Sequence, residues 1–310
     1  MLHVRVVCPP GSAGQLVESL EADPGVRNLV VLPGAARSPA GDAVQFDLRT
    51  ASANSVLHRL RTLGASAGSW VAIENVDAAI TPPGDEPARG RTWDTEQAPV
   101  WEMVDARIRS GGGYPPSFYI LLLSAGLIAA VGILTNSQIL IVAAMVVGPE
   151  YAAIMATSLG LNERDRRPVL AGLGALILGF AMASVATLAF GLIIRWSGHT
   201  PEAYLHGVRP VSDLINTPNL FSIVVAVLAG LVGVVSLTQS LANAIIGVFI
   251  SVTTIPAAAD MGLSAAYTSW PEVAGSTVQL LVNVVVLIAV GTAGLGLQRR
   301  LWRARDTRRA

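Results

Sequence analysis

The sequence predicts an α-helical polytopic membrane protein with an N-terminal α+β domain of the ferredoxin-like βαββαβ type. About six transmembrane helices are expected, as two inverted three-helix repeats. Three observations predict this. The 310 residues are 52% hydrophobic and only 14% charged, where a soluble domain carries about 25% charged residues. The charge is uneven, with 10 Arg and 13 Asp or Glu in residues 1–117 against 5 Arg and 7 acids in residues 118–298. A pattern of Gly, Asn and Pro also recurs within the apolar part.

Composition removes several chemistries. All 21 basic residues are Arg, so a Lys Schiff base and the phosphate-binding Lys of a P-loop are excluded. The single Cys8 excludes an intramolecular disulfide and a Cys-based zinc site. Four scattered His leave little room for a metal centre, and no metal or cofactor is expected. Zero net charge argues against a nucleic-acid partner. Residues 1–8 lack the charged start, apolar core and cleavage site of a secretory signal. The N-terminal domain is therefore expected in the cytoplasm.

That domain covers residues 1–80. Residues 2–8 alternate as a strand and stop at Pro9-Pro10-Gly11. Residues 12–22 space Leu16, Val17 and Leu20 as a helix, with Ser12 at its N-cap. A second strand, Val26–Leu32, stops at Pro33-Gly34, and a polar loop leads to a third at Ala43–Thr50. A helix over Ser52–Leu63 and a strand over Ser69–Val76 complete a split βαββαβ pattern. The turn at Pro9–Ser12 has two readings, an anion site at a helix N-terminus and an ordinary turn, and the ordinary turn is the stronger. Cys8 reads as a buried small hydrophobe. Residues 81–116 form a linker, in which Val100, Trp101, Val104 and Ile108 line one side of a short amphipathic helix. It fits either the membrane surface or a plain connector.

Six apolar segments follow within the membrane domain, residues 117–298. They lie near 117–135, 138–160, 169–194, 220–236, 241–263 and 273–298, each close to the roughly 20 residues that cross the hydrocarbon core. Repeat one is 117–194 and repeat two 220–298. Arg in the loop Asn162–Arg167 and in the basic tail 299–310, with no basic residue in 261–272, places both termini in the cytoplasm. Arg195 and Arg209, in the external 195–219 loop, are the exception.

A shift of 107 residues matches Gly126 with Gly233, Asn136 with Asn243 and Pro149 with Pro256. With three spans per half, the second half is inverted. Each Pro interrupts a segment otherwise long enough to span, freeing backbone groups that cost several kcal/mol in lipid unless something satisfies them. Paired interrupted helices in inverted halves point to a transporter's binding site. Gly148-Pro149 and Thr253-Thr254-Ile255-Pro256 are the candidate openings. Glu150 follows Pro149 mid-span, where a carboxylate costs roughly 3 kcal/mol to insert, and suits a proton or Na⁺. Asp260 follows Pro256 by four residues and reads either as a second site group or as an interfacial cap. Asn136-Ser137 and Asn243 stand at the helix junctions, as caps or walls of a path. Gln279 and Asn283, one turn apart, read as an interhelical hydrogen-bonding pair. His199, His206 and Asp213 give only a weak metal signal.

The segment Pro116–Tyr119 and Leu134-Thr-Asn-Ser-Gln-Ile-Leu-Ile-Val-Ala-Ala-Met-Val-Val-Gly-Pro149 resembles a bacterial and archaeal membrane family. It is the uncharacterized hydrophobic domain, number 389 among the domains of unknown function. Ser236-Leu-Thr-Gln-Ser240, Gly247–Val252 and Ile255–Ala259 resemble the same family, over roughly residues 100–298. Ala143 stands where that family often has Gly, and Glu150 where it usually has an apolar residue. The resemblance brings no substrate.

The physical reading is therefore an ion-coupled carrier of a small solute in the bacterial inner membrane, working as a homo-oligomer within the lipid bilayer. Its alternatives are a sensor or assembly protein whose soluble domain binds a regulatory ligand, and a passive channel. An enzyme is not expected. An intramembrane aspartyl protease needs two paired Asp, and no Ser-His or His-Glu-x-x-His arrangement occurs in the spans.

Overall fold

The computed structural model describes residues 1–11, 13–64, 69–76, 101, 104, 105, 108, 113–238 and 253–306. It separates into two compact units, Met1–Val104 and Asp105–Ala310. The first unit runs β1 (Leu2–Cys8), α1 (Ala13–Glu21), β2 (Val26–Arg37), β3 (Ala40–Leu48), α2 (Thr50–Gly64) and β4 (Trp70–Asn75). The sheet has the order β2-β3-β1-β4, with every neighbouring pair antiparallel. Strand periodicity sends alternate side chains to one face. The register opposes Leu2 to Leu48, Val4 to Phe46 and Val6 to Val44, so these six side chains make one buried layer. Leu16 and Leu20 of α1 and Val56, Leu57 and Leu60 of α2 pack against it. Cys8 is buried in this core with a free thiol.

Two details differ from the sequence expectation. β2 continues through Pro33 and Gly34 to Arg37, and the expected polar loop is a hairpin instead. Pro is tolerated there because β2 is an edge strand; Gly34 has φ 65° and the pairing slips between Leu32 and Ala36. The turn before α1 already has its anion. Asp42 accepts from the backbone N–H of Gly34 at 2.8 Å and of Gly11 at 3.4 Å. The ordinary-turn reading is the one that fits. Residues 77–100, most of the linker, lie outside the described residues, although Trp101, Val104, Asp105 and Ile108 of its expected short helix are helical.

The second unit contains α3 (Pro116–Leu134), α4 (Gln138–Val147), α5 (Glu150–Glu163), α6 (Arg166–Trp196), α7 (Glu202–Leu205), α8 (Pro210–Asn216), α9 (Leu220–Thr238), α10 (Thr254–Ala266) and α11 (Trp270–Asp306). Among the described residues, three helices are long and apolar enough to cross a membrane: α3, α6 and α11 over Trp270–Leu301. The number is five if α4 with α5, bent by 51°, and α8 with α9, bent by 73°, each count as one span. The sixth expected segment, 241–263, falls partly outside the described residues; its described part begins α10. The tail expected from residue 299 is the continuation of α11, which runs to Asp306. Arg299 anchors it, pairing with Asp105 and with Glu163 at 3.0 Å. Large apolar side chains such as Ile177, Val185 and Ile193 of α6 and Leu281 and Val285 of α11 point outward, as a lipid-facing surface requires.

The short helices are the interior. From Ala153 to Gly160 every residue of α5 is buried, and from Thr254 to Asp260 every residue of α10. A helix buried all round is enclosed by other elements. α5 packs on α6 and α11, and α10 on α6, α11 and α3. Small residues permit the close approach: a side chain at Gly262 in α10 would overlap the Ser184 carbonyl and Thr187 hydroxyl of α6.

Helix starts recur at a constant spacing. Pro116 and Leu220, Glu150 and Thr254, and Arg166 and Trp270 are each 104 residues apart. So are Arg164 and Thr268, whose φ angles are 58° and 61°. This spacing differs by three residues from the 107 read from Gly, Asn and Pro. At 104, Pro149 corresponds to Thr253, and both are N-caps.

Candidate functional site

The two interior helices meet N-terminus to N-terminus. α4 ends at Gly148, whose backbone is extended (φ −71°, ψ 132°), and Pro149 caps the start of α5. Pro149 has no N–H to leave unsatisfied at that first turn. Glu150 is the first residue of α5 and only 5% exposed. The unpaired N–H groups of a helix start and its dipole favour negative charge there. Facing it is the start of α10: the Thr254 hydroxyl donates to Glu150 Oε1 at 2.8 Å. Ile255 closes the other side, and a side chain at Gly148 would overlap both Ile255 and Glu150 Oε2.

α11 supplies the third wall. Asn283 Nδ2 donates to Thr253 Oγ1 at 3.0 Å, Gln279 Nε2 to Asn283 Oδ1 at 3.2 Å, and Gln279 Nε2 reaches Thr253 Oγ1 at 3.5 Å. Gln279 and Asn283, one turn apart on α11, thus make the interhelical hydrogen bonds expected of them, with Thr253 as the partner. Two acceptors in this neighbourhood are buried and have no hydrogen-bond partner, Glu150 Oε2 and Gln279 Oε1. Each such group costs about 1–3 kcal/mol, so the arrangement suits a bound cation or a ligand that brings donors.

A second buried carboxylate stands further along α10. Asp260 is fully buried, six residues and about 9 Å of helix rise beyond Thr254. Ser212 of α8 donates to Asp260 Oδ1 at 2.7 Å and Ser276 of α11 to Oδ2 at 2.6 Å. Asp260 is therefore no interfacial cap. Beside it Arg209 donates to both oxygens of Glu272 at 2.9 and 2.8 Å, to Ser269 Oγ, and to the Tyr204 carbonyl. Its guanidinium lies 4.1 Å from the centre of the Tyr204 ring. Burial pushes the Tyr204 phenol above its ordinary range.

The structure brings Gly148, Pro149, Glu150, Thr253 and Thr254 together. Pro256 adjoins them in a different role from the one expected: it sits in the first turn of α10, where a missing N–H costs nothing, and α10 starts at Thr254. Asn136 and Ser137 belong to a turn elsewhere. Asn136 takes φ 52° and donates to the Val208 carbonyl at 3.3 Å, while Ser137 caps α4. Asn243 lies outside the described residues. Among the described residues no group of three or more His, Cys, Asp or Glu could hold a metal ion. Ser212, Ser276, Arg209 and Glu272 escaped the sequence reading. One signal pointed to them: Arg195 and Arg209 broke the Arg distribution of the loops, and both are engaged structurally, Arg195 on the Ala266 carbonyl at 2.7 Å.

Apolar helices of spanning length around a buried polar centre define a helical membrane protein. Residues 145–289 match the model of the family described as Domain of unknown function (DUF389), a stretch that contains both carboxylates. The chain is also 24% identical over 169 residues to the "Uncharacterized protein MJ0678" of Methanocaldococcus jannaschii, covering 54% of this chain and 50% of that protein. The chain thus spans about half the length of this curated relative. No solved structure matches.

Proposed function

We propose that the protein is a secondary carrier of a small solute in the bacterial cytoplasmic membrane, with an ion-binding centre between the starts of α5 and α10. The single observation behind this is that meeting. Two buried helix N-termini, Glu150 and two buried acceptors without partners converge where α4–α5 breaks. Discontinuous helices at the midplane of paired repeats are the architecture of secondary transporters. The 104-residue spacing of helix starts supports two repeats of three spans, α3 to α6 and α9 to α11, inverted because three is odd. The sheet order β2-β3-β1-β4 supports a ferredoxin-like domain for residues 1–80, acting in the cytoplasm to gate or assemble the carrier. Both termini are cytoplasmic, and the α6–α9 connection is external.

Detergent-purified protein tests this through its thermal stability against Na⁺, K⁺, small anions and amino acids. A compound at a hundred times its Kd adds about 2.7 kcal/mol. The compound that stabilises the wild type and not Glu150→Gln is then offered to proteoliposomes as labelled substrate. Saturable counterflow supports the carrier. Uptake that does not saturate, with single-channel conductance, replaces it with a channel.

A further inference from the structure

We infer that Asp260 is a second ion site, separate from the Glu150 centre, and that its ion is a proton. The inference begins from partners. An ionised carboxylate in the interior needs a counter-charge; among the described residues no cation reaches Asp260. Arg209, on the connection packed over it, is committed to both oxygens of Glu272 and to the Tyr204 ring. Arg195 of α6 is committed to the Ala266 carbonyl and lies over the Tyr267 ring. The titratable residue of α3, Tyr119, is at the opposite end of that helix from the connection.

What does reach Asp260 is a ring of hydroxyls. Ser212 and Ser276 bond one oxygen each. A hydroxyl donates to a carboxylate and accepts from a carboxylic acid. Both protonation states of Asp260 are thus satisfied by rotating O–H bonds, with no side chain displaced. An Arg or Lys partner would have locked the ionised state. Ser212 is already an acceptor, from Asn216 Nδ2 at 3.3 Å.

The neighbouring carboxylate is held differently. Glu272, whose side chain is 24% exposed, accepts from Arg209 at both oxygens and from Ser264 Oγ at 3.0 Å. The buried Tyr204 hydroxyl, which has no hydrogen-bond partner, borders the same network and feels the charges of Asp260 and Glu272. As a coupling site, Asp260 rests on the carrier reading. As a proton site it does not.

The experiment is infrared difference spectroscopy of the full chain in lipid, titrated from acid to alkaline pH in light and heavy water. A protonated-carboxyl C=O band that titrates, shifts in heavy water, and is absent from Asp260→Asn is the expected result. Because Asp260→Asn can fail to fold, Ser276→Ala is the second variant. It removes one donor, so the same band moves in frequency while the protein stays assembled. The inference is overturned if no carboxyl band titrates, if the band survives Asp260→Asn, if Ser276→Ala leaves its frequency unchanged, or if Na⁺ at constant pH displaces the proton. Failure of counterflow with the titrating band intact removes the carrier and leaves the proton site standing.

Discussion

The contact between Gly148 and Ile255 can be tested by filling it. Gly148 has an ordinary backbone conformation, so a Gly148→Ala change adds a methyl group without backbone strain. That methyl falls inside van der Waals contact with Ile255 Cδ1 and Glu150 Oε2. Overpacking of a tight interior costs about 1–3 kcal/mol. Removing the obstacle with Ile255→Ala costs about 2–5 kcal/mol through its cavity, since Ile255 is 1% exposed. If the two residues meet, the methyl at 148 fills part of that cavity. Gly148→Ala then costs only what the shift of Glu150 Oε2 demands in the Ile255→Ala background, a coupling of up to about 1–3 kcal/mol where distant sites add within roughly 0.5. Thermal midpoints of the four proteins in one detergent measure this. At about 2–4 °C per kcal/mol, Gly148→Ala lowers the midpoint of the wild type by roughly 2–12 °C. Equal losses in both backgrounds would show that the start of α10 does not face the α4–α5 break, and the proposed site would go with it.

Other outcomes follow from the same contacts. Thr254→Val strips Glu150 of its hydroxyl donor and lowers stability by about 1–3 kcal/mol, whereas Thr254→Ser stays near wild type; thermal unfolding distinguishes them. Arg209→Lys fails to restore what Arg209→Gln loses, because one ammonium cannot serve Glu272, Ser269, the Tyr204 carbonyl and the Tyr204 ring together; midpoints rank both below wild type. Burial pushes the Cys8 thiol up, so less thiolate is present at any pH through the ordinary thiol range, and the residue is only 3% exposed. A maleimide reacts with it slowly in the native chain and at the free-thiol rate after denaturation. Native labelling speeds up only as pH rises above the usual thiol value.

Much of the fold was legible because periodicity is a local property. Alternation at Leu2, Val4 and Val6 and helical spacing at Val56, Leu57 and Leu60 located the elements of the first unit. Edge position is not local, so Pro33 looked like a stop when the strand runs through it. Pro149 marked its break plainly, because a missing N–H is written in the residue type. The start of α10 was placed by Pro256, since Thr253, its N-cap, carries no covalent mark; the difference between the 107-residue match of residue types and the 104-residue spacing of helix starts has the same origin. The enclosure of α5 and α10 was not legible, as Ala, Gly and Ser look alike on a lipid-facing or a buried helix. Nor was the ring of serines, which forms only because the α6–α9 connection folds back and carries Ser212 against α10.

The enclosure of α5 and α10 also bears on how the chain is made. At 14 and 13 residues each is about 20 Å long, short of the roughly 30 Å hydrocarbon core. Each carries a buried carboxylate, Glu150 at the start of α5 and Asp260 in the middle of α10, and an Asp costs about 2.5–3.5 kcal/mol at the centre of an inserting helix. Neither is a good client for the translocation machinery alone. Each is followed within a few residues by a long apolar helix, α6 or α11, whose emergence from the ribosome supplies both anchor and shelter. Integration is then coupled in hairpins: nascent chains arrested just after α5 or α10 slip back out of the bilayer, and those extended through α6 or α11 stay.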